Sequence, residues 1–149
     1  IYLFSPIDIL PEDILITQGG SEAIQITLQT LCNPGDEVLV PEPYYTNYDS
    51  FLRIADATLV PIETSIEDHY HLPSREEIEK LITPKTKAIM FSNPSNPTGI
   101  VFRPEEMELI MKNLEEYDKR EKEEMKTLWV IVGVTVIGFV TLAVYLLWM

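Results

Sequence analysis

Four short apolar runs separated by stretches of helical periodicity constrain this chain more than any other feature. "DILIT" (Asp13 to Thr17), "EVLV" (Glu37 to Val40), "ATLVPI" (Ala57 to Ile62) and "KAIMF" (Lys87 to Phe91) have the length of strands. Most are apolar throughout, as strands covered on both faces are. Between them, "SEAIQITLQTLC" sets Ile24, Leu28 and Leu31 at helical spacing and is closed by Pro34 and Gly35 of "NPGDE". "SREEIEKLI" opens on Ser74 and Glu77, a capping box, and carries Ile78, Leu81 and Ile82 as its apolar stripe. "RPEEMELIMKNL" places Pro104 at a first helical position. Helices alternating with buried strands predict crossover connections and a mostly parallel sheet, an α/β fold.

The composition changes towards the end of the sequence. Leu128 to Met149, "LWVIVGVTVIGFVTLAVYLLWM", is twenty-two residues without a charge. As a helix at about 1.5 Å per residue it would reach roughly 33 Å, against about 30 Å for a bilayer's hydrocarbon core. The expectation is a transmembrane helix over 128–149, with Trp129, Tyr145 and Trp148 as interfacial aromatics. Gly133 and Gly138 do not have the spacing of a GxxxG dimer face. Ahead of it, residues 113–127 hold six acids and four bases in mixed order, which predicts a solvated, charged juxtamembrane helix. Lys119, Arg120, Lys122 and Lys126 on that side place the N-terminal part in the cytoplasm, with the lipid bilayer as a partner. "MKTLWVIVG" from Met125 also resembles the start of a separate membrane protein. If the join is an artefact, the expected location is cytoplasmic. The expected organisation is an α/β part at 1–112, the charged helix at 113–127 and the span at 128–149.

Lys plus Arg number 11 against 24 for Asp plus Glu, a net charge of -13. No basic stripe offsets it, which excludes a nucleic-acid surface. Cys32 is the only cysteine, so there is neither a disulfide framework nor a cysteine metal cluster, and its apolar neighbours predict a buried thiol. The sequence opens on Ile1 with no basic region before an apolar run, so no secretory signal is expected. His69 and His71 in "DHYHL" would share a face of a strand, yet no third ligand stands nearby. A surface hairpin is expected there, and no metal site.

Ligands of such sheets bind beyond the carboxyl ends of the strands, and three loops there are unusual. In "TQGGSEAI", two glycines between strand and helix allow close backbone approach, with Ser21 and the first-turn amides facing an anion. A phosphate cradle and a Gly-Gly turn with a Ser cap would both have this form. "PEPYYTNY" holds two prolines and three tyrosines, suited either to stacking on a flat ligand or to packing over the sheet end. "FSNPSNPTGI" places Asn93 and Asn96, each before a proline, where an amide could meet a ligand oxygen or simply form an Asx-Pro turn.

In this order, "GGSEAI", "NPGDEVLVPEPYYTNY" and "ITPKTKAIMFSNPSNPTG" resemble the class I/II aminotransferases of fold type I, especially the subgroup including bacterial aspartate and aromatic-amino-acid enzymes. The resemblance covers about Asp13 to Met111. It implies a partial large domain, the cofactor pyridoxal 5'-phosphate, an amino acid and a 2-oxo acid as substrates, and a homodimer. It further implies that Asn96 bonds the cofactor's phenolic oxygen and that Tyr45 stacks on its ring. Gly20, Ser21 and Glu22 are implied to hold the phosphate, the last two through backbone amides.

Family members also bind the cofactor covalently through a Lys in a Ser-x-x-Lys-type segment, after an Asp that pairs with the pyridine nitrogen. Lys80, Lys85, Lys87, Lys112, Lys119, Lys122 and Lys126 all lack that context, so no catalytic residue is assigned. The expectation is a fragment that is inactive by itself, with weak cofactor binding. The alternatives are a non-catalytic, membrane-tethered interaction protein and a mis-joined gene product.

Overall fold

The computed structural model describes residues 14–108, 110, 129–136 and 139–145. Its elements in chain order are α1 (Gly20–Leu31), β1 (Glu37–Pro41), α2 (Asn47–Ile54), β2 (Thr58–Ile62), α3 (Arg75–Leu81), β3 (Thr86–Ser92), β4 (Trp129–Val136) and β5 (Phe139–Tyr145). A further helical stretch occupies 104–108. The strands form one sheet in the order β2-β1-β3-β4-β5. β1 runs parallel to β2 and to β3, and β3 runs parallel to β4. Only β4 and β5 are antiparallel. The expected α/β fold with a mostly parallel sheet is therefore present.

Alternation along β1 and β3 explains the core. Val38, Val40, Ala88 and Met90 join Ile24 and Leu28 of α1 and Tyr48, Phe51 and Leu52 of α2 in one buried cluster. Leu39, Ile89 and Phe91 point to the opposite face and pack with Ile62, Ile78, Phe102 and Ile110. Phe91 and Phe102 meet edge to face at 5.6 Å between ring centroids. Strands buried on both faces must be apolar throughout, which is why β1 and β3 read as continuous runs. β2 is an edge of the sheet and carries Pro61. The Ile62 carbonyl accepts the Glu42 N–H, so Ile62 turns its amide groups towards β1. Pro61, next in the alternation, therefore faces outward, where no described strand needs its missing N–H.

Caps set the helices. Ser74 accepts from the Glu77 N–H while the Glu77 carboxylate accepts from the Ser74 N–H at 2.9 Å, the expected capping box. Glu106 does similar work over a longer distance. Its carboxylate accepts the Arg103 and Leu72 N–H groups at 2.7 Å each and sits 2.9 Å from His71 Nδ1. One side chain, 12% exposed, thus ties the segment before α3 to the helix at 104–108.

Several expectations are corrected. Residues 14–17, read as a strand, have no regular structure, and Ile14, Leu15 and Ile16 are 47%, 71% and 89% exposed. Apolar sequence alone cannot supply the hydrogen-bonding neighbour that a strand requires, and no described strand pairs with this one. α2 was not anticipated, because its first residues, Asn47 and Tyr48, belong to the tyrosine-rich stretch read as a loop. His69 and Tyr70 lie in turns with φ of 54° and 59°, rather than in the strands of a hairpin. Cys32 is half-buried, with its pKa pushed up to about 11 by burial and by Asp36.

The largest correction concerns 128–149. The expected transmembrane helix is instead the β4–β5 hairpin, and no helix among the described residues is long and apolar enough to cross a membrane. Uninterrupted apolarity suits a central strand as well as a bilayer helix. Six of the eight residues of β4 are β-branched, which favours the extended form. The exposed edge of β3 supplies the pairing, from Ala88 opposite Trp129 to Ser92 opposite Gly133. The charged helix expected at 113–127 lies outside the described residues.

Two outcomes are predicted. Ser74→Ala removes half of the capping box and costs about 1 kcal/mol, read as a lower denaturation midpoint of the full chain, whereas Ser74→Asp retains most of the stability. An unchanged midpoint for Ser74→Ala would contradict the role of the cap. Burial raises the pKa of Glu106, but the N–H groups of Arg103 and Leu72 and the His71 ring outweigh it and leave it below the ordinary 4.5. A carboxyl whose folded pKa is depressed contributes stability above its unfolded value and loses it as pH falls through the folded one. Thermal stability should therefore drop more steeply below about pH 4.5 in the wild-type chain than in Glu106→Gln. Parallel pH profiles would refute the contribution.

Candidate functional site at the carboxyl edge of the sheet

A helix joined to the following strand by a short turn runs back against it. α1 ends at Leu31 and β1 starts at Glu37, with Asn33 to Asp36 forming the turn. The twelve residues of α1 span about 18 Å and the five of β1 about 16 Å, so the start of α1 and the end of β1 share one edge of the sheet. Because β1 and β3 are adjacent and parallel, the loops after Pro41 and Ser92 emerge at that same edge. Gly20, Ser21, Glu22, Tyr45 and Asn96 all belong to these three segments.

Gly19 caps α1 with φ of 94°, a left-handed backbone that favours glycine, and nothing lies within 4 Å of where a Cβ would stand. The first bond into the helix runs from the Ala23 N–H to the Gly19 carbonyl. The amides of Gly20, Ser21 and Glu22 therefore have no intrahelical acceptor, which makes this end receptive to an anion. Ser21 is exposed and makes no capping bond, so the Ser-capped alternative is not what is found. The Glu22 carboxylate instead accepts the Gln18 N–H, and Thr17 Oγ1 donates to the Gly19 carbonyl at 3.0 Å. These two bonds fix the approach to the helix.

Tyr45 is half-buried against the cluster that contains Ile24 of α1. Its ring meets Tyr48 edge to face, 5.6 Å between centroids at 89°, and its hydroxyl accepts from Asn47 Nδ2 at 2.6 Å. Tyr48, 5% exposed, is packing, whereas Tyr45 stands half-buried at the rim. The loop after β3 separates its two asparagines in the same way. Asn93 Oδ1 accepts the Phe102 N–H at 3.1 Å and is committed to the turn. The Asn96 side chain is exposed and takes no hydrogen bond among the described residues, while its backbone N–H donates to Ser92 Oγ at 3.0 Å.

Sequence reasoning missed Ser92, the buried hydroxyl beneath this loop, because its role depends on which way β3 turns its last residue. A cleft lined by Val40, Pro43, Tyr48, Ser92, Asn96 and Phe102 encloses only about 10 Å³, room for about one water. Among the described residues, a larger ligand is offered an edge surface with three amides that have no acceptor within α1, one ring at the rim and one carboxamide without a hydrogen bond. This donor set fits a phosphorylated, flat, oxygen-bearing heterocycle such as pyridoxal phosphate. No group of three metal-binding side chains occurs among the described residues, and His71 is engaged by Glu106.

Known proteins resemble this chain in sequence and in fold. The family model for aminotransferase class I and II matches residues 3–119. An aspartate/prephenate aminotransferase of Thermus thermophilus is 36% identical over 112 residues, 75% of this chain and 29% of that protein. An aspartate aminotransferase of Bacillus sp. strain YM-2 is 37% identical over 102 residues, 68% of this chain and 26% of its own. Among solved structures, an alanine aminotransferase of Pyrococcus furiosus superposes with a TM-score of 0.71 at 31% identity, over 86% of this chain and 37% of that one. The chain thus spans between a quarter and two fifths of the length of these relatives. With the family match extending over most of its residues, the chain belongs to the class I and II aminotransferases.

Proposed function

We propose that this chain is the cofactor-holding segment of a pyridoxal-phosphate-dependent aminotransferase, one that moves an amino group between an amino acid and a 2-oxo acid. The observation that carries the reading is the convergence of α1's free amides, Tyr45 and Asn96 on one edge of a parallel sheet. The Gly20, Ser21 and Glu22 amides hold the phosphate, Tyr45 covers one ring face, and the Asn96 carboxamide donates to the phenolic oxygen. When bound, pyridoxal phosphate supplies an electron sink beside the amino-acid Cα. An acidic partner such as aspartate, named in several relatives, is one amino donor consistent with the family.

By themselves these 149 residues are proposed to hold the cofactor without a covalent bond and without turnover. Lys80 and Lys85 stand on α3 and in the turn before β3, and Lys87 lies near the start of β3, at the opposite end from Asn96. No described lysine is therefore placed to bond the cofactor. β4, next to β3, carries no acid that could pair with a ring nitrogen.

Titration of the full chain with pyridoxal phosphate should give saturable, reversible binding. Asn96→Ala or Tyr45→Ala should weaken it by roughly tenfold, the worth of about one hydrogen bond or ring contact. Borohydride treatment followed by peptide mapping should label no single lysine stoichiometrically. Absence of saturable binding would overturn the cofactor reading, and one fully labelled lysine would overturn its non-covalent form.

A further inference from the structure

Ser92 is a polar residue in an apolar place. It ends β3, a strand otherwise buried by Ala88, Ile89, Met90 and Phe91, and is itself only 8% exposed. A buried hydroxyl needs a partner, and this one has it in the loop that follows. Its oxygen accepts the Asn96 N–H at 3.0 Å. Tyr48 lines the same narrow cleft as Ser92, and its pKa is pushed up by burial while the Ser92 hydroxyl beside it draws it down. Tyr48 is in turn fixed by its edge contact with Tyr45 and by the α1–α2 cluster. The hydroxyl of Ser92 therefore lies between the two sides of the rim.

We propose that Ser92 is a positioning residue, whose hydroxyl holds the Asn96 backbone and registers it against Tyr48, so that the Asn96 carboxamide and the Tyr45 ring keep a fixed separation. This rests on the cofactor reading for the roles of Asn96 and Tyr45, but the linkage itself is a property of the unliganded chain. Two other bonds close the loop, from the Ser95 N–H to the Ile100 carbonyl and from the Gly99 N–H to the Ser95 carbonyl. Neither joins Asn96 to the sheet. Among the described residues, the bond to Ser92 is what anchors Asn96 itself.

The test uses the full chain and two readouts. Amide hydrogen exchange of Asn96 without ligand reports the linkage, and affinity together with the absorption maximum of added pyridoxal phosphate reports its consequence. Ser92→Ala should speed Asn96 exchange by roughly tenfold, about the protection of one net hydrogen bond, and weaken binding by a similar factor with a shifted maximum. Ser92→Thr, which restores the hydroxyl on a strand-compatible side chain, should recover both. Tyr48→Phe leaves Ser92 able to accept and should raise Asn96 exchange less. In Asn96→Ala, adding Ser92→Ala should cost no further affinity, because the one acts through the other. Unchanged Asn96 exchange in Ser92→Ala, failure of Thr to rescue, or additive losses in the double variant would each overturn the proposal. Exchange that follows Ser92 in a chain binding no pyridoxal phosphate would support the linkage and remove the cofactor reading alone.

Discussion

β1 and β3 are buried on both faces at once, and their hydrogen-bonded parallel pairing carries the rest of the structure. With Val38 opposite Ala88 and Leu39 opposite Ile89, successive steps along the pair send couples of side chains alternately into the two clusters. A slip of one residue would exchange the clusters entirely. α1 and α2 cover one face because Ile24, Leu28, Phe51 and Leu52 match what β1 and β3 present there. α3 covers the other through Ile78, together with Phe102, Met107 and Ile110 in and beside the helix at 104–108. The site follows from the same pairing, since two adjacent parallel strands must release their loops at one edge.

Much of this was legible in the sequence where local pattern and global fold agree. β1 and β3 read as strands because both faces are covered, β2 as a short apolar run at the sheet's edge, and α1 and α3 read as helices because only one face is covered. α2 was hidden by its own start: it begins directly out of a proline- and tyrosine-rich loop, and Thr46 caps it without a side-chain bond. Residues 14–17 and 129–145 show the converse failure. Their apolarity is plain, but whether such a run becomes a strand, a helix or neither is decided by the neighbour it meets. β4 meets β3, and residues 14–17 meet no described strand.

Where the candidate site residues lie in the fold was legible to about the same depth. Loop residues could be assigned to the correct edge from the alternation of elements alone, and the family resemblance narrowed them to Tyr45, Asn96 and the start of α1. The division of labour within each pair could not be read in advance. Tyr45 and Tyr48 are the same residue type three apart, and Asn93 and Asn96 share the same following proline. Only packing distinguishes the ring at the rim from the ring in the core, and only the Phe102 N–H distinguishes the structural asparagine from the exposed one.

Pro61 has a consequence for assembly. At the edge of β2 the chain offers an incoming strand a row of backbone groups interrupted by a residue that cannot donate, on the side that faces away from β1. Intermolecular strand addition is disfavoured at that position, whereas the edge of β3 is taken by β4. The edge of β2 is thus a poorer template for a neighbour's strand than an edge with every N–H in place.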